Sequence, residues 1–198
     1  MTGQTNAFHP ALRVLHWLMA AMVVAMLFIG VGMVSTTGPL YPALLTLHRP
    51  IGIAILVLVL IRLPLRLVIG VPALPADLPP PQKAIASLSH VLLYASTAAM
   101  PLIGWGMLSA GGYPVQVAPG VILPAILPHE LALYAVLRGT HTVIALLFFA
   151  LILIHLSAAL FHGLVRHDGV LRAMTTGRGL PEVEPAPLTQ VPEDDSTA

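Results

Sequence analysis

Residues 138–167 read RGTHTVIALLFFALILIHLSAALFHGLVRH, and this stretch decides the fold. Within its apolar part the only ionisable side chains are His155 and His162, so the run is long and apolar enough to span a bilayer. His141 and His155 lie 14 residues apart, which on an α-helix leaves their imidazoles roughly 40° apart in azimuth and ~21 Å apart along the axis. Because polar residues inside a membrane are rare and usually functional, two imidazoles on one face predict two metal centres at two depths.

The composition indicates a polytopic membrane protein. Of the 198 residues, 57% are hydrophobic and only 9% are charged, which is too little polar surface for a soluble protein of this size. A net charge of +1 gives no indication of a nucleic-acid partner. The absence of cysteine excludes disulfides, thiolate metal sites and iron–sulfur clusters held by this chain. Nine histidines against eight carboxylates favour imidazole-ligated centres instead.

Four membrane-spanning helices are predicted, so the expected fold class is an all-α four-helix membrane bundle with cofactors between the helices. The approximate bounds of the spans are Leu12–Val34, Leu47–Ile69, Ser87–Leu108 and Arg138–Leu164. Each is close to the ~20 residues that cross a bilayer. The first run is too long for the core of a signal peptide, and we interpret it as a retained span.

The segments between and after the spans are rich in proline, glycine or acidic residues. A Gly/Pro cluster at residues 38–42 predicts a short connector, and residues 72–81 predict a stiff, non-helical one. Residues 111–128 predict a loop or a re-entrant cap. We expect residues 1–176 to form one membrane domain and the acidic, Pro-rich residues 177–198 to form a disordered cytoplasmic tail.

Basic residues near the span ends predict the orientation in the membrane. On one side of the membrane lie only Arg49 and Arg138. On the side shared by both termini lie Arg13, Arg62, Arg66, Lys83, Arg166, Arg172 and Arg178. Since basic residues are enriched on the cytoplasmic side, both termini are predicted to be cytoplasmic.

This topology sorts four histidines into two pairs by depth. His48 and His141 open the second and fourth spans near the outer face. His16 opens the first span at the cytoplasmic face, and His155 lies towards that same face. A bis-imidazole iron needs two neutral histidines on opposite sides of a porphyrin, so each pair is a candidate haem site. For any one buried histidine, the alternative is a hydrogen bond between helices.

The 14-residue step recurs from other histidines. From His48 it reaches Arg62, whose guanidinium is a candidate partner for haem propionates at the inner level. Elsewhere the step ends at Gly30 and Gly104, where the lack of a side chain leaves room for a flat macrocycle.

Two further histidines lie near the cytoplasmic ends of the spans. His162 is seven residues past His155 and thus on nearly the same face, and His90 opens the third span. They are either polar ends that reach the interface or groups that handle protons. His129, in a loop, is read as a surface residue and His167 as an interfacial one.

Taken together, these residues resemble the bacterial cytochrome b561 family, four-helix di-haem proteins of the cytoplasmic membrane. The resemblance covers roughly Ala11 to Met174 and includes RVLHW at residues 13–17, IRLPLR at 61–66 and PLIG at 101–104. The matching histidines are His16, His48, His90, His141, His155 and His162.

What the resemblance implies is more specific than what the spacing predicts. It implies two haem b groups whose axial ligands are His16, His48, His141 and His155. It also implies electron exchange with ubiquinone or another quinone and, as in some members, oxidation of superoxide. His90 and His162 then become the candidate quinone and proton site. Besides lipid and quinone, the expected partners include a redox protein.

The sequence therefore predicts an inner-membrane cytochrome, and a candidate oxidoreductase, that carries electrons between an outer-face donor such as superoxide and the quinone pool. One alternative is a haem b anchor subunit that passes electrons from a partner dehydrogenase or hydrogenase to quinone. Another is a non-redox transporter of metal ions or protons. A transporter predicts carboxylates inside the spans, and the four predicted spans contain none.

The orientation is testable with a reporter enzyme that is active only outside the cytoplasm. Fused to the C-terminus, it should be silent, because the charge distribution predicts a cytoplasmic end. The same reporter inserted within residues 111–128 should be active and serves as the control. Activity of the C-terminal fusion would contradict the predicted orientation.

Overall fold

The computed structural model describes residues 7–75 and 77–177, and its main feature is a bundle of four long helices. These are α1 (Pro10–Ser35), α2 (Leu40–Ile69), α3 (Pro80–Ala110) and α4 (Leu131–Phe161). All four are long and apolar enough to cross a membrane. The predicted all-α, four-span fold is confirmed.

The outside of the bundle is apolar. Phe28 and Leu67 are each 75% exposed, although such side chains are usually buried in soluble proteins. The buried core is small by comparison. One cluster of buried side chains consists of Met19 in α1 with Leu56 and Val59 in α2. Partly buried side chains of α3 pack against it. Large apolar side chains that face outwards on every helix require a lipid environment, since exposing them to water is unfavourable.

Two helices begin earlier than predicted. α2 begins at Leu40 rather than Leu47, with Pro39 as the residue before it in a helix-like conformation. α3 begins at Pro80 rather than Ser87. Prolines in a first helical turn cost little, because the amide hydrogen they lack has no partner there in any case. Pro80 and Pro81 therefore belong to α3 rather than to the non-helical connector predicted at residues 72–81, and Pro42 belongs to α2.

α4 also begins earlier, at Leu131 rather than Arg138. The side chain of Glu130 caps this helix and accepts hydrogen bonds from the backbone amides of Ala132 and Leu133, at 2.9 and 2.5 Å. A carboxylate at this position satisfies amides that have no helical partner and lies favourably at the positive end of the helix dipole. The cap adds two turns that the hydropathy pattern assigned to the preceding loop.

Between α3 and α4 the chain forms a β-hairpin, which corrects the expectation of a loop or re-entrant cap at residues 111–128. Strand β1 (Val115–Ala118) pairs antiparallel with β2 (Val121–Leu123), with an irregular register near the turn. The indole of Trp105 in α3 donates a hydrogen bond to the carbonyl of Pro124 at 2.9 Å. This bond holds the hairpin against the end of α3.

At the opposite end, α4 continues as a π-helical turn, His162–Arg166. The chain then reverses through two residues with positive φ, His167 at 54° and Gly169 at 82°. It ends, within the described residues, in the short helix α5 (Val170–Thr175). The reversal carries α5 back towards the start of the bundle.

Helix α5 is hydrogen-bonded to α1. The indole of Trp17 donates to the carbonyl of Met174 at 3.1 Å, and the guanidinium of Arg13 donates to the carbonyl of Thr175. The predicted disordered tail, apart from its first residue, lies outside the described residues. The division into a membrane domain and a tail therefore stays a prediction.

Candidate functional site

His48 of α2 and His141 of α4 face each other near the hairpin end of the bundle. Their ring centroids are 6.3 Å apart and the ring planes meet at 61°. The Nδ1 atom of each ring is buried and has no hydrogen-bond partner. Buried polar atoms are nearly always satisfied in native proteins. The pair therefore has unused ligand capacity in an apolar setting.

His16 of α1 and His155 of α4 face each other near the opposite end. Their centroids are also 6.3 Å apart, with ring planes at 84°. His90 of α3 lies against the same partner, with a centroid distance of 5.7 Å and an interplanar angle of 74°. Three imidazoles therefore meet at this level, where the sequence predicted a pair and placed His90 in a separate proton site.

The separation within each pair suits one metal ion between two rings. An imidazole nitrogen binds a first-row metal at about 2 Å, so two rings on opposite sides of the ion have centroids about 6 Å apart. Within residues 7–75 and 77–177, no group of three or more His, Asp or Glu side chains is arranged to hold a metal ion alone. A macrocycle that supplies the other ligands fits such two-histidine sites.

The packing of the helices supports the same fit. α1 packs closely on α2, α2 on α3 and α3 on α4, whereas α4 approaches α1 and α2 less closely. The facing histidines join α4 to α2 and α4 to α1. Each pair therefore spans one of the wider gaps between helices, which is where a flat group can lie without displacing the backbone.

Two cationic groups stack on one aromatic ring beside the inner histidines. The guanidinium carbons of Arg62 and Arg66 lie 5.4 and 5.5 Å from the ring centroid of Tyr94, within the range of cation–π contacts. Arg62 Nε and Tyr94 Oη are buried without a partner. Two guanidinium groups on the same ring favour an anion beside them, and haem propionates have that chemistry.

Arg66 and Tyr94 were not among the predicted site residues. The signal for Arg66 was present in the sequence, because it follows Arg62 by four residues and thus lies on the same helix face. Tyr94 comes from another helix, and only the tertiary packing brings it between the two arginines.

His162 lies in the π-turn and contacts a carboxylate. Its Nδ1 is 2.5 Å from Asp168 Oδ2, and Arg166 Nε donates to the same oxygen at 3.1 Å. Burial alone would raise the pKa of Asp168, but hydrogen bonds from His162, the Val170 amide and Arg166, with the charge on His162, lower it below its ordinary value. Within the described residues His162 has no ring contact with His90, which contacts the ring of His155 instead.

The contact of Asp168 with His162 was not predicted from the sequence. Asp168 lies six residues after His162, a spacing that puts the two on different faces of a regular helix. The available signal was the Asp168–Gly169 dipeptide directly after the last span, which is typical of a turn. Such a turn reverses the chain and allows a carboxylate to return to the helix it follows.

Gly104 of α3 adjoins the outer pair. A Cβ atom built there would lie 3.4 Å from Cε1 of His141, whereas a Cβ at Gly30 would meet nothing within 4 Å. Gly104 thus lies in van der Waals range of the His141 ring, whereas the sequence related both glycines to a macrocycle. A side chain larger than alanine at position 104 would crowd the imidazole.

Comparison with known proteins decides the family. The sequence matches prokaryotic cytochrome b561 over residues 7–177. The chain belongs to this family. It is 31% identical over 107 residues to "Cytochrome b561 homolog 1" of Escherichia coli strain K12, which is 52% of this chain and 60% of the relative. It is 32% identical over 142 residues to "Probable superoxide oxidase CybB" of Yersinia pestis, which is 70% of this chain and 78% of the relative.

Membership confirms the predicted class of protein. The chain is a multi-pass protein of the bacterial inner membrane, and its family is one of membrane electron transfer that implies haem b. When bound, the haem iron would supply one-electron chemistry. The residues described above fit that group, because they offer paired imidazoles for the iron and arginines for its carboxylates.

Replacement of Gly104 by leucine should disturb the outer histidine pair selectively. The longer side chain would crowd the His141 imidazole, and overpacking of this kind costs about 1–3 kcal/mol. We expect altered visible and electron paramagnetic resonance spectra of one haem only, measured on the purified protein. Gly139→Leu is the matched control and should leave the spectra unchanged, because Gly139 is exposed and a Cβ there would meet nothing within 4 Å. An unaltered spectrum in Gly104→Leu would contradict the assignment of the ring beside it.

Proposed function

We propose that this cytochrome b561 holds two haem b groups and carries electrons from a donor at the outer face to a quinone near the cytoplasmic face, with both termini cytoplasmic. The observation that carries the proposal is that two pairs of imidazoles face each other, His48 with His141 and His16 with His155. In each pair the ring centroids are 6.3 Å apart. By helical rise the two α4 ligands lie ~21 Å apart along the axis, a separation that puts one centre near each membrane surface.

The protein side of the reaction is ligation, orientation and charge. The four imidazoles are the proposed axial ligands. Arg62, with Arg66 beside it, is the proposed partner of the inner haem's propionates, since a guanidinium binds a carboxylate with directed hydrogen bonds. The outward-facing side chains of the bundle are apolar, so both proposed centres lie within the membrane-spanning part of the protein.

The proposed quinone site lies at the end that carries His90 and His162. Reduction of a quinone consumes two protons, so its site needs groups that exchange protons near neutral pH, and histidine does so. His90 lies 5.7 Å from the ring of His155. His162 follows His155 by about 10 Å of helical rise, and its side chain keeps 20% exposure. One group is therefore beside the proposed inner haem and the other is within reach of solvent.

Superoxide is the proposed donor at the outer face. The Yersinia relative is named as a probable superoxide oxidase, and that name is the basis of the proposal. The predicted outer side carries Arg49 and Arg138, while the carboxylate of Glu130 is engaged by the backbone amides of α4. A mouth with excess positive charge attracts a small anion.

The ligand set predicts how haem loss should follow substitution. His48→Ala and His141→Ala should each abolish the same haem, and His16→Ala and His155→Ala the other, because each iron needs both axial ligands. His90→Ala should leave both haems bound, which separates His90 from His16 as the partner of His155. The measurement is haem content per chain, with two expected for the wild type, together with reduced-minus-oxidised spectra. One haem per chain, or different haems lost in the first two variants, would contradict the proposal.

The proton groups predict a kinetic effect without a spectral one. In the double variant His90→Gln, His162→Gln, both haem spectra should persist, but reoxidation of the reduced protein by a short-chain ubiquinone should slow. Acid–base groups typically contribute about 10²–10⁴-fold to a rate, so a loss of at least tenfold is expected in stopped-flow measurements. If reoxidation of the double variant matches the wild type, the quinone site lies elsewhere.

A further inference from the structure

The chain after α4 folds in an unusual way that delivers a carboxylate to His162. The π-turn at His162–Arg166 interrupts the helix, and π-turns occur frequently at functional sites. His167 then adopts a positive φ of 54°, which is uncommon for a residue other than glycine. Backbone irregularities of this kind persist where the surrounding structure requires them. Here their combined result is that Asp168 points back at the imidazole.

Both oxygens of Asp168 are engaged. Oδ2 lies 2.5 Å from His162 Nδ1 and accepts from Arg166 Nε at 3.1 Å, and Oδ1 accepts from the Val170 amide at 3.2 Å. The side chain keeps only 12% exposure. A carboxylate held by this many donors has little freedom to turn. It therefore fixes the orientation of the histidine ring that it contacts.

A second ion pair links Arg166, and through it Asp168, to the connector between α2 and α3. Arg166, 24% exposed, also donates to the carboxylate of Asp77, which is 70% exposed. The contacts run from Asp77 to Arg166 and from Arg166 to Asp168, whose carboxylate also contacts His162. The ion pair with Asp77 holds Arg166 in position beside Asp168.

We propose that Asp168 is a positioning residue that holds the proton on Nδ1 of His162 and directs Nε2 towards a quinone carbonyl oxygen. The inference rests on the proposed quinone chemistry of His162. A carboxylate that accepts a hydrogen bond from one ring nitrogen sets the tautomer, orients the ring and stabilises the imidazolium, as it does for histidines in metal sites and hydrolase triads. The opposite nitrogen is then the one that exchanges protons with the substrate.

The proton and electron balance of the step is complete. In the imidazolium form of His162 the N–H bond at Nε2 breaks and an O–H bond forms on the quinone oxygen, and the accompanying electron would come from the haem groups that the four histidines would hold. Two such events convert quinone to quinol and use two electrons and two protons. The electrons originate from the one-electron donor at the outer face, and water at the exposed edge of His162 restores each proton.

The test uses the full-length, haem-loaded protein, reduced beforehand and mixed with a short-chain ubiquinone. Asp168→Asn should lower the limiting rate of haem reoxidation roughly tenfold, the effect typical of losing a partner that orients a histidine. The half-saturating ubiquinone concentration and both haem spectra should stay unchanged. The solvent deuterium isotope effect should increase, because proton delivery becomes slower. Asp168→Glu should restore part of the rate.

Two further variants make each outcome decisive. Arg13→Gln loosens α5 from α1 without touching the carboxylate, and an equal loss of rate there would reduce Asp168 to a structural role and overturn the inference. If His162→Gln slows reoxidation but Asp168→Asn does not, the positioning role is wrong and the proposed quinone site stands. If neither variant slows it, the proposed site itself is wrong.

Discussion

The 14-residue interval between His141 and His155 sets the geometry on which the bundle depends. One helix has to offer two imidazoles to two different neighbours, so α4 carries neither proline nor charge between them. α1 and α2 run in opposite directions and each bears its histidine near its start. Histidines at similar positions in the two helices therefore lie at opposite ends of the bundle, at depths that match the two on α4. The remaining apolar surface is constrained chiefly by contact with lipid.

The features that the sequence predicted well are those set by a long, uniform physical signal. Four apolar runs of bilayer length identify the helices, because no soluble fold presents so much apolar surface to water. The depth of each histidine follows from helical rise once the direction of each span is assigned. The errors lie at helix ends. Leu40, Pro80 and Leu131 begin their helices through prolines in the first turn or a glutamate cap, and hydropathy does not register either device.

The features that the sequence did not predict depend on tertiary contacts or on rare backbone conformations. The stacking of Arg62 and Arg66 on Tyr94 requires two helices to be aligned in depth and rotation. The contact of Asp168 with His162 requires a π-turn and a positive φ at His167, and residue spacing predicts neither. The hairpin between α3 and α4 consists of strands of four and three residues, too short for an alternating pattern to emerge.

The hydrogen bonds from Trp17 and Arg13 to the carbonyls of Met174 and Thr175 have a consequence for biosynthesis. Helix α1 makes these contacts with residues that are synthesised more than 150 positions after it. Until then its first turn lacks the neighbour that covers it, even after the other three helices have entered the membrane. The contact between α1 and α5 therefore forms only after the rest of the bundle has been synthesised. A chain that stops short of Met174 keeps every proposed haem ligand but lacks this contact.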